Sequence, residues 1–312
     1  VKQQHERKQQ IMTVTLGINP IGWTNDCMGW LGDLIPLNTL LSEAREAGFS
    51  GVELGRKYPK QPKKLKSLLD RHDLTLVSGW YSARLLARDT KEEIAAMQDH
   101  LALMKGCGAK VMVFAETTND IVLNVGAGFS QRPKVASAAE WKKLGQRMTE
   151  VADYMLGQGV QMAVHHHMGT PIESQQDVDR LMENTGTEVG LLLDTGHMTV
   201  AGGDPVAVAK KHAARIKHVH CKDVRRYALE ACRRRDTSFS EAVLCGLFTA
   251  PGDGIVDYAK VLGHLAKAKY KGWLVQEAEQ DPRLFNPKIY AELGNAHLRA
   301  TAKAAKLKVV EK

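Results

Sequence analysis

From residue 14 onward, short runs rich in β-branched and other apolar residues alternate with longer segments whose apolar positions recur every three or four residues. The short runs fall at 14–19, 51–54, 74–79, 110–116, 160–165, 190–194, 215–221 and 273–277, and each predicts a strand. The longer segments predict helices with one apolar stripe. Leu37, Leu40, Leu41 and Ala44 form such a stripe between Pro36, which suits a first turn, and Gly48, which suits a stop. Leu65, Leu68, Leu69 and His72 repeat the spacing, as do Ile94, Met97, Leu101 and Met104. Trp141, Leu144, Met148, Val151, Ala152 and Met155 form a fourth set, and Tyr258, Val261, Leu262 and Leu265 a fifth. Strand and helix in regular alternation call for a parallel sheet covered by helices, and eight such units close into a barrel.

The predicted fold class is therefore α/β: a single (β/α)8 TIM barrel over residues 13–312, after a flexible polar extension at 1–12. A doubly wound sheet would carry a glycine fingerprint after an early strand. Gly126-Ala127-Gly128 lacks the third glycine, and no GxxxxGK[ST] occurs. Two connections exceed ordinary loop lengths, 117–136 and the insertion at 222–254 after the seventh strand, and both are expected to act as lids or substrate loops.

Composition changes this picture little. Hydrophobic residues make up 44% and charged residues 25%, which excludes a disordered or fibrous chain. Five cysteines without a CxxC pair argue against a disulfide framework and a thiolate zinc module, and point to a reducing compartment. No apolar run approaches the roughly 20 residues of a membrane span, and the polar, basic start lacks the apolar core of a secretory signal. A cytoplasmic protein with no membrane partner is expected. The net charge of +8 gathers at 1–10, at 57–66 and at Arg233, Arg234 and Arg235, with few aromatic neighbours. That pattern fits solvated faces better than a nucleic-acid groove.

The chemistry concentrates where the apolar runs end. Asn19, Glu53, Glu116, His165, Asp194, His220 and Glu277 close seven of the eight runs, at what a parallel barrel makes its active mouth. So many ionisable groups around one mouth require compensation, and a divalent cation supplies it. His165, Asp194, His220 and Glu277, from the fifth to eighth strands, are the candidate ligands. A lone strand-end histidine or aspartate is more often structural; four in succession are not. Two imidazoles with two carboxylates suit manganese, cobalt, zinc or iron better than calcium or magnesium. Strand alternation puts His165 and His167 on one side and turns His166 toward the helices, so either His165 or His167 fits the fifth-strand position, with His165 ahead. His197, three residues beyond Asp194, reads as a residue that donates to a ligand or contacts substrate, or as a loop cap. Lys222 is placed to reach a substrate oxygen, and Glu279 to support Glu277.

The segments GINPIGWTND, EAREAGFSGVELG, HHHMGT, LLLDTGH, HVHCKDVR, FTAPGDG and GWLVQEAEQDP resemble those of the inosose dehydratases, within the xylose isomerase-like barrels, from Leu16 to the last helix. The resemblance implies an eightfold barrel, a divalent metal given as manganese or cobalt, and a homo-oligomer. It implies a hydro-lyase that converts 2-keto-myo-inositol, a small cyclic polyol ketone, to a trihydroxycyclohexane-1,2-dione in inositol breakdown. Glutathione enters by resemblance only. The superfamily metal positions fall on Asp194, His220 and Glu277, with His165 where many relatives carry glutamate. For the elimination, His167 or Glu116 is the expected base, and His197 or Lys222 the group that assists the departing oxygen. Asn19, Trp23 and Glu53 are the expected holders of ring hydroxyls. The nearest alternative is a metal-dependent isomerase or epimerase of the same superfamily; an enzyme like the endonucleases acting at abasic sites is a remote one.

Overall fold

The computed structural model describes residues 12–311. The expected extension at 1–12 thus lies outside the described residues except for Met12, which corrects the boundary by opening the first strand. β1 (Met12–Ile18) leads through a 3-10 turn at Pro20–Gly22 to α1 (Leu37–Glu46), and β2 (Gly51–Val52) leads to α2 (Pro62–Asp70). β3 (Thr75–Leu76) and β4 (Trp80–Ala83) precede α3 (Thr90–Ala96) and α4 (Gln98–Gly106). β5 (Val111–Glu116) is followed by α5 (Ala138–Gly157), β6 (Gln161–His165) by α6 (Gln175–Asn184), and β7 (Gly190–Asp194) by α7 (Thr195–Val200) and α8 (Pro205–His212). After β8 (Ile216–Cys221) come β9 (Asp223–Val224), α9 (Arg226–Arg235), α10 (Phe239–Leu244), β10 (Phe248–Thr249) and α11 (Tyr258–Lys267). β11 (Gly272–Gln276), α12 (Pro287–Ala304) and β12 (Leu307–Val309) complete the chain, β12 pairing in parallel with the start of β1.

The strands lie in the order β3-β2-β1-β11-β8-β7-β6-β5-β4. β3 and β4 are the two ends of one stave. Val77 N–H donates to Val52 O at 2.9 Å on one side, and Val113 N–H donates to Gly79 O at 3.1 Å on the other. The barrel closes through this segment, with eight staves in all. The strand expected at 74–79 therefore runs on to Ala83 and changes partner midway. Gly79 sits at the change; a Cβ there would lie 3.0 Å from Leu54 Cβ and Met104 Cε.

Glycines also shape the interior. Trp273 and Val275 of β11 pack with Val77 inside the barrel, and a Cβ on Gly51 would approach the Trp273 ring to 2.9 Å and Val77 to 2.7 Å. Gly51 thereby makes room for an indole in the lumen. Val113, Ala163 and Leu192 fill the opposite side. The apolar helix stripes expected from the sequence bury Leu40, Leu41, Leu65, Leu69, Met148, Met155, Val261 and Leu265 against the outer face of the sheet.

The insertion is folded. β9 and β10 pair antiparallel, Val224 opposite Phe248, and α9, α10 and β10 bury Leu229, Phe239, Val243 and Phe248 against Met28, Leu31, Val122 and Met168 in a second apolar cluster above the mouth. Asp223 ties the base of the lid by accepting from the N–H groups of Gly252 and Val256, at 3.0 and 2.9 Å. A Cβ on Gly254 would fall 2.2 Å from its Oδ1, which accounts for glycine in the FTAPGDG segment. Arg225 clamps the other edge through the carbonyls of Gly246 and Phe248, at 2.8 and 3.1 Å. The other long connection meets the lid where Ser130 donates to Asp236 from both backbone (2.7 Å) and hydroxyl (2.6 Å). Among the described residues no helix is long and apolar enough to cross a membrane.

Candidate metal centre and active site

Register brings the ligand candidates together. Asp194 pairs with His220 across β7 and β8, and His220 pairs with Val275 two positions before Glu277. His165 pairs with Leu192, two positions before Asp194. Residues that face one another in a parallel ladder, or stand two apart on one strand, project to the same side. His165 Nε2 lies 3.4 Å from Asp194 Oδ2, which lies 3.6 Å from His220 Nδ1, which lies 2.5 Å from Glu277 Oε2. One donor atom from each of the four falls within 4.8 Å of the others, and all four side chains are buried.

Three of these atoms, Asp194 Oδ2, His220 Nδ1 and Glu277 Oε2, make no hydrogen bond. Buried polar atoms are rarely left so, and three orphans aimed at one point suit a cation between them. Electrostatics agree: although burial opposes it, Glu277 and Glu53 raise His220 well above the usual imidazole range, the mark of a place that favours positive charge. The nitrogen and oxygen donor set fits a divalent first-row metal.

The opposite edge of His220 is fixed by Glu53, which accepts from its Nε2 at 3.1 Å. Glu53 also accepts from His218 Nε2 at 2.8 Å, Ser78 Oγ at 2.5 Å and Asn19 Nδ2 at 2.7 Å. Burial pushes its carboxyl up, but His220 and His218 outweigh it and hold Glu53 well below the ordinary range. Two of the expected substrate contacts are thus held by the protein itself. Glu53 is engaged by four donors beneath the ligand layer, and Asn19 is engaged on both sides of its amide, since its Oδ1 accepts from Ile21 N–H at 2.9 Å. Trp23, the third, is buried, and its indole N–H donates to Glu43 at 2.6 Å.

Lys222 lies inside the site. Its side chain is fully buried, with Nζ at 3.2 Å from Glu277 Oε1 and 3.1 Å from Glu279 Oε2. Burial would lower its pKa; Glu277 and Glu279 outweigh that and raise it. Glu279, expected beside Glu277, is braced by Asn25 Nδ2 at 3.1 Å. Glu116 is not brought to the ligands. Its two oxygens accept from Leu85 N–H (2.7 Å) and Thr118 N–H (2.9 Å), joining the loops after β4 and β5, and burial raises its carboxyl.

The three consecutive histidines divide as alternation requires. His166 faces away, and its Nε2 accepts from Asp194 N–H at 3.2 Å. His167 stands on the side of His165, ring centroids 5.4 Å apart. Its Nδ1 lies 2.7 Å from Met168 O, and because a carbonyl only accepts, Nδ1 carries the proton and Nε2 the lone pair. His197 packs against His167, ring centroids 3.8 Å apart and planes tilted by 41°. Its backbone N–H donates to Asp194 Oδ1 at 2.8 Å, and its ring nitrogens face Met168 N–H at 3.3 Å and Lys222 Nζ at 3.0 Å. A neutral imidazole has one lone pair, and the shorter, charge-assisted contact with Lys222 claims it. Burial, joined by His165 and Lys222, holds His167 well below the usual imidazole range, and burial with His167 and Lys222 does the same to His197.

Aromatic rings wall this group. Trp80, 38% exposed, meets His165 and His167 edge-on at 5.2 and 5.4 Å. From the lid, Phe239 lies 5.1 Å from His167 and Phe248 lies 5.2 Å from His197. Ser78, Trp80, His218, Phe239 and Phe248 were not anticipated. Alternation within HVHC could have revealed His218, two residues from His220; the others depend on tertiary packing.

Residues 41–301 match the model of the xylose isomerase-like TIM barrel family. The chain is 48% identical to the Rhizopine catabolism protein MocC of Rhizobium meliloti, over 96% of this chain and 91% of that one. It is 41% identical to the inosose dehydratase of Geobacillus thermodenitrificans, over 92% and 97%. Among solved structures it resembles an L-ribulose 3-epimerase (TM-score 0.65, 15% identity, 94% of this chain and 96% of that one). It also resembles the probable 3-DHS dehydratase AsbF of Bacillus anthracis (TM-score 0.65, 15% identity, 91% and 98%). The chain therefore belongs to the xylose isomerase-like TIM barrel family, on the branch of the inosose dehydratases.

Proposed function

We propose that this chain is a metal-dependent dehydratase that removes water from 2-keto-myo-inositol to give a trihydroxycyclohexane-1,2-dione, as a step of inositol breakdown. The observation that carries the reading is the convergence of His165, Asp194, His220 and Glu277, three of whose facing atoms have no other partner. The relatives that bear the name inosose dehydratase support the substrate. Manganese or cobalt is the preferred ion. Held by these four residues, it would act as a Lewis acid toward a ketone oxygen.

The chain's own residues supply the rest. Glu53 orients His220, and Asn19, Ser78 and His218 hold Glu53. His167 is the base: with Nδ1–H donated to Met168 O, the Nε2 lone pair makes no hydrogen bond among the described residues. Nε2 takes the proton from the carbon beside the ketone and returns it to the hydroxyl leaving the next carbon, so one water departs. The first carbon keeps its own hydroxyl, the new double bond is an enol, and its tautomer is the 1,2-dione. Trp80, Phe239 and Phe248 exclude solvent around the imidazole pair.

The test is turnover of inosose by the manganese-loaded protein, followed by mass spectrometry of the product. A product lighter by one water supports dehydration. A product of unchanged mass assigns the chain to isomerisation or epimerisation instead.

A further inference from the structure

A lysine ammonium has three N–H donors, and Lys222 is buried among three acceptors: His197 Nε2 at 3.0 Å, Glu279 Oε2 at 3.1 Å and Glu277 Oε1 at 3.2 Å. The site is shaped for it. A Cβ on Gly196 would lie 2.5 Å from Lys222 Cγ, so glycine in DTGH leaves the channel through which the lysine stem passes. The Phe248 ring covers the ammonium at 4.6 Å. The consequence falls on Glu277, whose Oε1 forms an ion pair with Lys222 while Oε2 makes no hydrogen bond and faces His220 Nδ1 at 2.5 Å within the ligand group. Asp194 repeats the arrangement, with Oδ1 accepting from His197 N–H and Oδ2 making no hydrogen bond within the ligand group.

We propose that Lys222 is a positioning residue that ties down Oε1 of Glu277, so that this carboxylate gives the cation Oε2 alone. The proposal rests on the metal reading above. A carboxylate with both oxygens free can close on a cation as a chelate and fill two of its places; one with a tied oxygen fills one. Four single-atom ligands leave about two places of an octahedral ion for substrate oxygens, and a chelating Glu277 would leave about one.

The test uses the full chain loaded with manganese and the relaxation of water protons, which reports water bound directly to the ion. Lys222→Met combined with Glu279→Gln removes the cation and one carboxylate together, so the buried charge stays balanced. In that variant the relaxation enhancement per bound ion is expected to fall by about half, while Glu279→Gln alone keeps the wild-type value. An unchanged enhancement with manganese still bound overturns the proposal and leaves the metal reading standing. Wild-type protein that binds no manganese overturns both. Should the double variant not fold, a structure of the manganese-loaded wild type decides: one Glu277 oxygen on the ion supports the proposal, and two overturn it.

Discussion

Glu53 accepts a hydrogen bond from Nε2 of His220 at 3.1 Å, and this contact turns Nδ1 of the same ring toward Asp194 and Glu277. The carboxylate keeps the Nε2 proton and fixes the ring angle, so Nδ1 is the atom turned toward an ion and the one that gives up its proton to bind it. Glu53→Gln can present an N–H to His220 in place of an acceptor. We expect manganese affinity to fall about 10- to 100-fold, measured by calorimetry. Unchanged affinity would show that His220 is oriented by its packing alone.

His167→Gln removes the Nε2 base without touching the four ligands. Loss of a general base costs about 10²- to 10⁴-fold in kcat, with bound metal per chain unchanged. A variant that keeps its rate would move the base elsewhere.

Glu173 provides a pH signature away from the ligands. Its Oε2 accepts from Gly169 N–H at 2.7 Å, and the Arg132 guanidinium lies 3.9 Å from Oε1. Burial nevertheless pushes its pKa from 4.5 up to about 7. A folded pKa above the unfolded one means the protonated form is favoured on folding, so this contribution is complete below about pH 4.5 and is lost as pH rises through about 7. Glu173→Gln keeps the acceptor and removes the titration. It is expected to be more stable than wild type at pH 8, by up to about 3 kcal/mol, and equal to it at pH 4 in denaturant unfolding. Parallel pH profiles for the two proteins would contradict this.

Phe239 joins the lid to the imidazole pair. It is buried in the second apolar cluster and packs on both His167 and His197. Phe239→Ala should cost about 3 kcal/mol of stability in chemical denaturation and lower turnover of the folded protein. Full stability would mean that the lid does not hold this ring in place.

The barrel and the four ligand candidates were legible because each rests on a local pattern: apolar runs of strand length, and a polar residue where each run stops. Asp194 and His220 sit opposite each other in the ladder for that reason. What escaped was set by partners distant in sequence. Asn19, Glu53 and Trp23 do lie near the mouth, but sequence position could not reveal that Glu53 meets His218 and His220, or that Trp23 meets Glu43. Lys222 read as a lysine reaching a substrate oxygen, and nothing local announces the carboxylates of Glu277 and Glu279 around it. The stave of β3 and β4 was truncated at Gly79 for the same reason: its change of partner from β2 to β5 is a property of closure, absent from any local run. The insertion read as a loop, although Ser238 and Glu241 form a helix-capping box visible in the letters.

The most direct test of the account is equilibrium dialysis of the metal-stripped protein against manganese, with His220→Ala beside it. We predict one ion per chain in the wild type and none retained by His220→Ala at the same free concentration. A wild type that takes up no ion, or a variant that binds as tightly as the wild type, would contradict the claim that these four side chains form a metal centre.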